Sequence, residues 1–145
     1  MKKQVYTIKI AVSRKKVWEV LWNNDTYVQW SAAFGEGSRA ESNWEEGDKI
    51  FFLGKDDDGI VSKIARKIPY EYMSFQHLGE VHKGKEVIGK EESEWCGAHE
   101  NYRLEPVNGE TLLKVDMDIT EDYIDYFDKT WPLAMEKIKE LSEAD

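Results

Sequence analysis

The alternation of apolar and polar side chains divides the chain into four stretches. Residues 4–11 run with period two, placing Tyr6, Ile8 and Ile10 on one face and Val5, Thr7 and Lys9 on the other, which predicts a strand with one buried side. Within residues 14–22 the period changes: Val17, Val20 and Leu21 recur at helical spacing, Trp18 and Trp22 lie one turn apart, and Ser13 is placed to cap the helix. Asn23-Asn24-Asp25 interrupts it, and Asp25 is expected to cap a second short helix through Tyr27, Val28 and Trp30 that ends before Gly35. Period two then returns from Gly37 to about Thr120, punctuated by turn residues at hairpin spacing. Six strands fit this stretch: 38–44, 49–55, 60–68, 70–79, about 86–106 and 110–120. Asp57-Asp58-Gly59 is the strongest hairpin signal, and Pro69 ends the strand before it. From Glu121 onward Tyr123, Ile124, Phe127, Trp131, Ala134, Met135, Ile138 and Leu141 form a helical stripe opposite an acidic face. Pro132 removes one backbone donor there, so a kink is expected, or a break with Thr130 capping the last segment.

This order predicts one α+β domain over residues 1–145: a curved seven-stranded antiparallel sheet, two short helices, and a long C-terminal helix covering the sheet's apolar face. The last strand has one wet side, because Thr111, Leu113, Val115, Met117 and Ile119 alternate with Lys114, Asp116 and Asp118. Strand parity and the helix stripe turn Trp30, Phe34, Trp44, Phe52, Met73, Phe75, Tyr102, Met117, Phe127 and Trp131 inward. Each of these side chains would also suit a solid core, but so many bulky groups around a curved sheet favour a cavity. Trp18 and Trp22 are expected to pack the first short helix onto the sheet instead.

Composition narrows the function classes. At 41% hydrophobic and 12% aromatic the chain has enough apolar surface to fold, and no run approaches the roughly 18 apolar residues of a membrane span. The first residues lack a signal peptide's apolar segment, so a cytoplasmic location is expected. A net charge of −9 argues against nucleic acid as a partner. That charge is uneven: residues 1–20 carry six bases and one acid, residues 121–145 eight acids and three bases. Two solvated faces explain these poles most simply, and a docking surface for a charged protein is the alternative. Cys96 has no cysteine to pair with and no evident His partner, so it reads as a structural thiol. No His, Cys and carboxylate spacing matches a metal site, Asp56-Asp57-Asp58-Gly59 lacks the spacing of a calcium loop, and no nucleotide or hydrolase motif is present. No metal or cofactor is expected.

Several strings, in order, carry a resemblance. They are Val17-Trp18-Glu19-Val20-Leu21-Trp22, Trp30, Trp44-Glu45-Glu46-Gly47-Asp48-Lys49-Ile50-Phe51-Phe52, Pro69, Glu100-Asn101-Tyr102-Arg103-Leu104, Gly109-Glu110-Thr111-Leu112-Leu113, and residues 131–138. Together, over roughly residues 4–142, they resemble the START-like (SRPBCC) helix-grip superfamily, in the branch similar to the activator of heat-shock protein 90 ATPase. The resemblance implies a hydrophobic cavity between sheet and long helix, used across the superfamily for small apolar or amphipathic molecules and by a minority for catalysis. A co-chaperone-like interaction module is the alternative it carries.

Three polar residues are candidates for orienting a ligand. Parity with Tyr102 and Leu104 puts the Glu100 carboxylate on the apolar face, where it needs a partner. Arg66, which shares a face with Ile60, Ser62, Ile64 and Ile68, is the expected counter-ion; otherwise Glu100 reaches water at a sheet end. His77 follows Met73 and Phe75 in parity, facing the cavity as a donor or sitting half-buried and satisfied. An enzyme reading, a cyclase or hydrolase, would move protons through Glu100, His77 or Tyr102.

Overall fold

The computed structural model describes residues 1–144. Strand β1 (Lys2–Ile10) leads into helices α1 (Arg14–Trp22) and α2 (Asn24–Ser31) and a 3-10 turn at Ala32–Phe34. Then come β2 (Arg39–Ser42), β3 (Lys49–Leu53), β4 (Gly59–Ile68), β5 (Tyr72–His82), β6 (Lys85–Ile88), β7 (His99–Val107) and β8 (Glu110–Ile119). A further 3-10 turn, Glu121–Tyr123, precedes helix α3 (Ile124–Glu143). All strands join one antiparallel sheet in the order β1-β8-β7-β5-β4-β3-β2, with β6 paired to β5 beyond the end of β7. Helix α3 packs against β1, α1 and α2 across one face of this sheet.

The sheet has eight strands where the pattern predicts seven, because the expected strand over 86–106 divides. Residues 89–98 fold into successive turns: Ser93 donates to the Gly89 carbonyl, Cys96 to Ser93, and Ala98 to Trp95. Gly89 and Gly97, at φ 109° and 92°, bound this segment with the left-handed backbone that glycine adopts without a Cβ clash. Reciprocal bonds between His77 and residues 97 and 98 sew it to the middle of β5. Trp95 is thereby carried to the same end of the molecule as α3's first turn, 5.5 Å from Tyr123 between ring centroids.

Two irregularities set which side chains reach the interior. On β4, Ile64 faces Phe75 and Arg66 faces Ser74, so Ala65 is an extra residue that reverses the parity beyond it. On β5, Gly79 faces Val61 and His77 faces Ser62, which makes Leu78 the extra residue. Gly79 is needed there for a separate reason: a Cβ on it would lie 2.0 Å from the Val87 carbonyl oxygen. Gly79→Ala should therefore push β6 off β5 and destabilise the fold by about 1–3 kcal/mol in urea unfolding. An unchanged midpoint would mean that β6 detaches at no cost.

The helices hold their faces by local chemistry. Neither Ser13 nor Asp25 caps through its side chain; α2 starts at Asn24, and the Thr26 hydroxyl ties the α1–α2 corner by donating to the Val20 carbonyl at 2.6 Å. Helix α3 runs through Pro132 without a break, and Thr130 is no cap: its hydroxyl donates to the Tyr126 carbonyl one turn back, at 2.7 Å. Trp22 packs edge-on against Tyr102 and Phe75, at 4.8 and 5.4 Å, fastening α1 to the sheet.

Candidate functional site

An open cavity of about 640 Å³ lies between α3, α2 and the sheet. Trp131, 1% exposed, is the centre of its wall. Four rings surround that indole: Tyr6, Trp30, Phe34 and Tyr102, with centroids 4.9 to 6.2 Å away. Its Nε1 points at the Met117 sulfur, 3.1 Å away, and the Trp30 Nε1 donates to the Leu21 carbonyl at 3.2 Å, so both indoles have fixed orientations. Phe127, Tyr123, Tyr126 and Trp95 continue the aromatic lining toward solvent. The Tyr126 hydroxyl donates to the Phe34 carbonyl at 2.7 Å, linking α3 to the 3-10 turn at the rim.

Polar groups are few in the deep wall, and Glu36, Ser38, Arg39, Lys55, Asp58 and Glu80 gather toward the mouth. Glu100 faces the cavity from β7, and the Tyr102 hydroxyl donates to its Oε2 at 2.6 Å. Burial raises the Glu100 pKa to about 6, against a smaller opposite pull from that hydrogen bond. Burial and the adjacent carboxylate likewise hold the Tyr102 phenol well above its ordinary range. His77, 4% exposed, turns its Nδ1 to the buried Ser62 hydroxyl at 2.6 Å. Its pKa drops to about 4, chiefly because burial penalises the imidazolium, with His99 adding to the effect and Asp118 opposing it. At the mouth the Arg39 guanidinium is held by Glu41, by the Gly54 carbonyl and by Asp57.

Of the residues singled out from sequence, Trp30, Phe34, Phe52, His77, Glu100, Tyr102, Met117, Phe127 and Trp131 line this cavity. Trp44, Met73 and Phe75 do not. Phe75 and Met73 are fully buried, with Phe75 packed edge-on to Phe52 and Tyr102, and Trp44 packs on Trp22 at 5.6 Å; all three belong to the core. Arg66 is exposed, grouped with Arg14, Glu71 and Arg103 on another surface, so the expected Glu100–Arg66 pair does not form. The Ala65 bulge is the cause, since it turns Arg66 to the side opposite Ile64. Residues that parity did not indicate also line the cavity: Tyr27 on α2, Tyr126 on α3, Trp95 on the turn segment, and Glu80, redirected by the Leu78 bulge.

The basic N-terminal segment is met mainly by acids of β8: β1 pairs with β8, so Lys3 meets Asp116 and Asp118 and Lys9 meets Glu110, while Lys2 meets Glu121 at the start of the acidic pole. The Ala11 amide donates to Glu143 at 2.8 Å. Among the described residues no three His, Cys, Asp or Glu side chains gather as a metal ion would require, and no helix is long and apolar enough to cross a membrane. Cys96 is free and half-buried in the turn segment.

An antiparallel sheet with a long last helix across one face is also the backbone arrangement of known structures. The solution structure of the Aha1 dimer from Colwellia psychrerythraea matches at a TM-score of 0.75 and 19% identity, over 99% of this chain and 97% of that one. The chain has the START-like helix-grip fold. Protein MLL2253 from Mesorhizobium loti matches at 0.72 and 14% identity, covering 97% and 96% of the two chains. CalU16 from Micromonospora echinospora matches at 0.69 and 14%, covering 97% and 76%. No family model matches the sequence, and no curated protein matches it. At such identities the helix-grip likeness describes the backbone and leaves the wall of the cavity to be read from this chain's own residues.

Proposed function

We propose that this domain binds a small, largely apolar molecule in the cavity between α3 and the sheet. The observation that carries the reading is the cavity itself: about 640 Å³, open to solvent, and walled by the rings of Trp30, Phe34, Tyr102, Phe127 and Trp131. That volume falls within the roughly 300–1,000 Å³ of small-molecule sites, and fixed aromatic walls with few polar groups are what gives such sites affinity by burial and orientation by hydrogen bonding. The neighbouring folds agree with the reading without deciding the ligand. Proton-transfer chemistry would need a second group beside Glu100 that changes protonation near neutral pH, whereas burial and the carboxylate hold the Tyr102 phenol protonated, and His77 spends its Nδ1 on Ser62 and stays neutral above about pH 4. Lys2, Lys3 and Lys9 of the N-terminal segment are engaged by acids of the same chain and Arg14 by Glu71, which reduces the basic surface left for a charged protein to Lys15 and Lys16.

The test fills the cavity from within. Ile60 lines it, half-buried on β4, and Ile60→Trp would occupy part of the space without touching the ring cluster around Trp131. Calorimetric titration with the neutral probe 1-naphthylmethanol should show saturable 1:1 binding to the wild type and a loss of tenfold or more in affinity for Ile60→Trp, on the order of 1.4 kcal/mol. Equal binding to both proteins would place the probe elsewhere and remove the proposal.

A further inference from the structure

Glu100 is a carboxylate set into an aromatic wall without a counter-ion. Its Oε2 accepts from Tyr102, but no described Lys, Arg or His lies within salt-bridge distance of it, and Oε1 has no donor from the protein. Arg66, the cation that strand parity would have supplied, is on another surface. Side chains flanking Glu100 in register are Phe75 on β5 and Met117 on β8, neither of which donates a hydrogen bond, and Tyr27 of α2 feels its charge. An acid is rarely kept in such surroundings unless something compensates it. The free oxygen faces the cavity, so the compensation can come from what enters.

We propose, building on the reading of the cavity as a ligand site, that its ligand is an apolar molecule bearing a protonated amine that pairs with Glu100. A neutral hydroxyl could donate to the same oxygen, but only a cation also neutralises the charge of a carboxylate that has no counter-ion in the wall. Faces of aromatic rings attract a desolvated cation further, and Tyr27, Trp30, Tyr102 and Trp131 supply them on the same wall. An anionic ligand would meet like charge from Glu100 inside and from Glu36, Asp58 and Glu80 toward the rim; of the two rim cations Arg39 is already engaged by acids, which leaves Lys55 against those carboxylates. The site thus selects by charge as well as by shape.

Three probes with one ring system separate charge from apolar burial: 1-naphthylmethylamine, 1-naphthylmethanol and 1-naphthoate, titrated calorimetrically at pH 8 into the wild type and Glu100→Gln. Glutamine keeps an oxygen for the Tyr102 hydroxyl, removes the charge and puts an NH2 donor in place of the second oxygen. The amine should bind the wild type about tenfold or more tightly than the alcohol, and Glu100→Gln should abolish that preference by weakening the amine far more than the alcohol. Acidification gives a second readout: below about pH 6, where Glu100 takes up its proton, amine affinity should fall by up to about tenfold per pH unit and alcohol affinity by far less. Beside Glu100, Tyr27 and Tyr102 are held neutral by raised pKa values and His77 stays neutral down to about pH 4, while the rim carboxylates Glu36, Asp58 and Glu80 are common to the wild type and Glu100→Gln, so the difference between the two proteins isolates Glu100. If the alcohol binds both proteins as well as the amine does, the cavity stands as a ligand site and the amine assignment falls. Tightest binding of 1-naphthoate overturns it too. If none of the three binds, the cavity reading itself fails and this one with it.

Discussion

Replacing Trp131 by alanine is expected to lower the unfolding free energy by about 3–5 kcal/mol, the largest loss from any single truncation of the cavity wall. The indole is 1% exposed and touches rings from β1, α2, the 3-10 turn after α2, and β7, so it joins four separately folded segments through one side chain. Removing it loses the transfer energy of the ring and leaves its neighbours facing space they cannot easily close, because the Trp30 indole is fixed by its bond to Leu21. Equilibrium urea unfolding followed by far-ultraviolet circular dichroism measures the loss. Trp131→Phe should recover more than half of it, since a benzyl ring preserves the contacts with Phe34 and Trp30 and gives up only the Met117 contact and part of the area. A loss under about 1 kcal/mol for the alanine variant would mean that α3 is held to the sheet elsewhere, and the cavity would lose its structural centre.

The parts of this arrangement that were legible in the sequence are those whose periodicity is unbroken. On β8 all of Thr111, Leu113, Val115, Met117 and Ile119 are buried and the residues between them are not, and the stripe on α3 buries Trp131, Ala134, Met135 and Ile138. Glu100 could be turned inward from sequence because nothing interrupts β7 between it and Leu104. Arg66 could not be placed correctly. The bulge that redirects it is one residue, Ala65, whose side chain suits either face and leaves no trace in the hydrophobic pattern. Leu78 hid Glu80 in the same way. Trp95 was lost for a different reason: Lys90-Glu91-Glu92-Ser93-Glu94 has no apolar residue to establish a period, and the glycines at 89 and 97 were the only sign that the strand stops. Local irregularity thus decided which polar groups reach the cavity, while regular alternation decided that there is one.

Buried His77 and half-buried Glu100 should give the protein an unusual dependence of stability on pH. His77 is held at about pH 4 in the folded state against an ordinary 6.5, so the fold prefers its neutral form. Its contribution is whole above pH 6.5 and is lost as pH falls from there to about 4, a change of about 3 kcal/mol for that shift. Glu100 works in the opposite direction. Its folded pKa of about 6 lies above the ordinary 4.5, so the fold binds its proton more tightly than the unfolded chain does, and stability rises by about 2 kcal/mol as pH falls from 6 to 4.5. In the wild type the two slopes oppose each other and leave a net loss of about 1 kcal/mol on acidification. Glu100→Gln removes the compensating slope and should expose nearly the whole His77 loss, whereas His77→Asn, which keeps a polar atom for Ser62, should leave a protein more stable near pH 5 than at pH 7. Surface carboxylates such as Glu143, whose pKa is lowered by Lys139 and the Ala11 amide, add a common acid-side loss that cancels when the variants are compared with the wild type. Urea unfolding of the three proteins at half-unit intervals from pH 4 to 7 reads the slopes directly. Parallel curves for the wild type and Glu100→Gln would show that the carboxylate titrates as if in water, and an acid so well hydrated would have no need of a cation from a ligand.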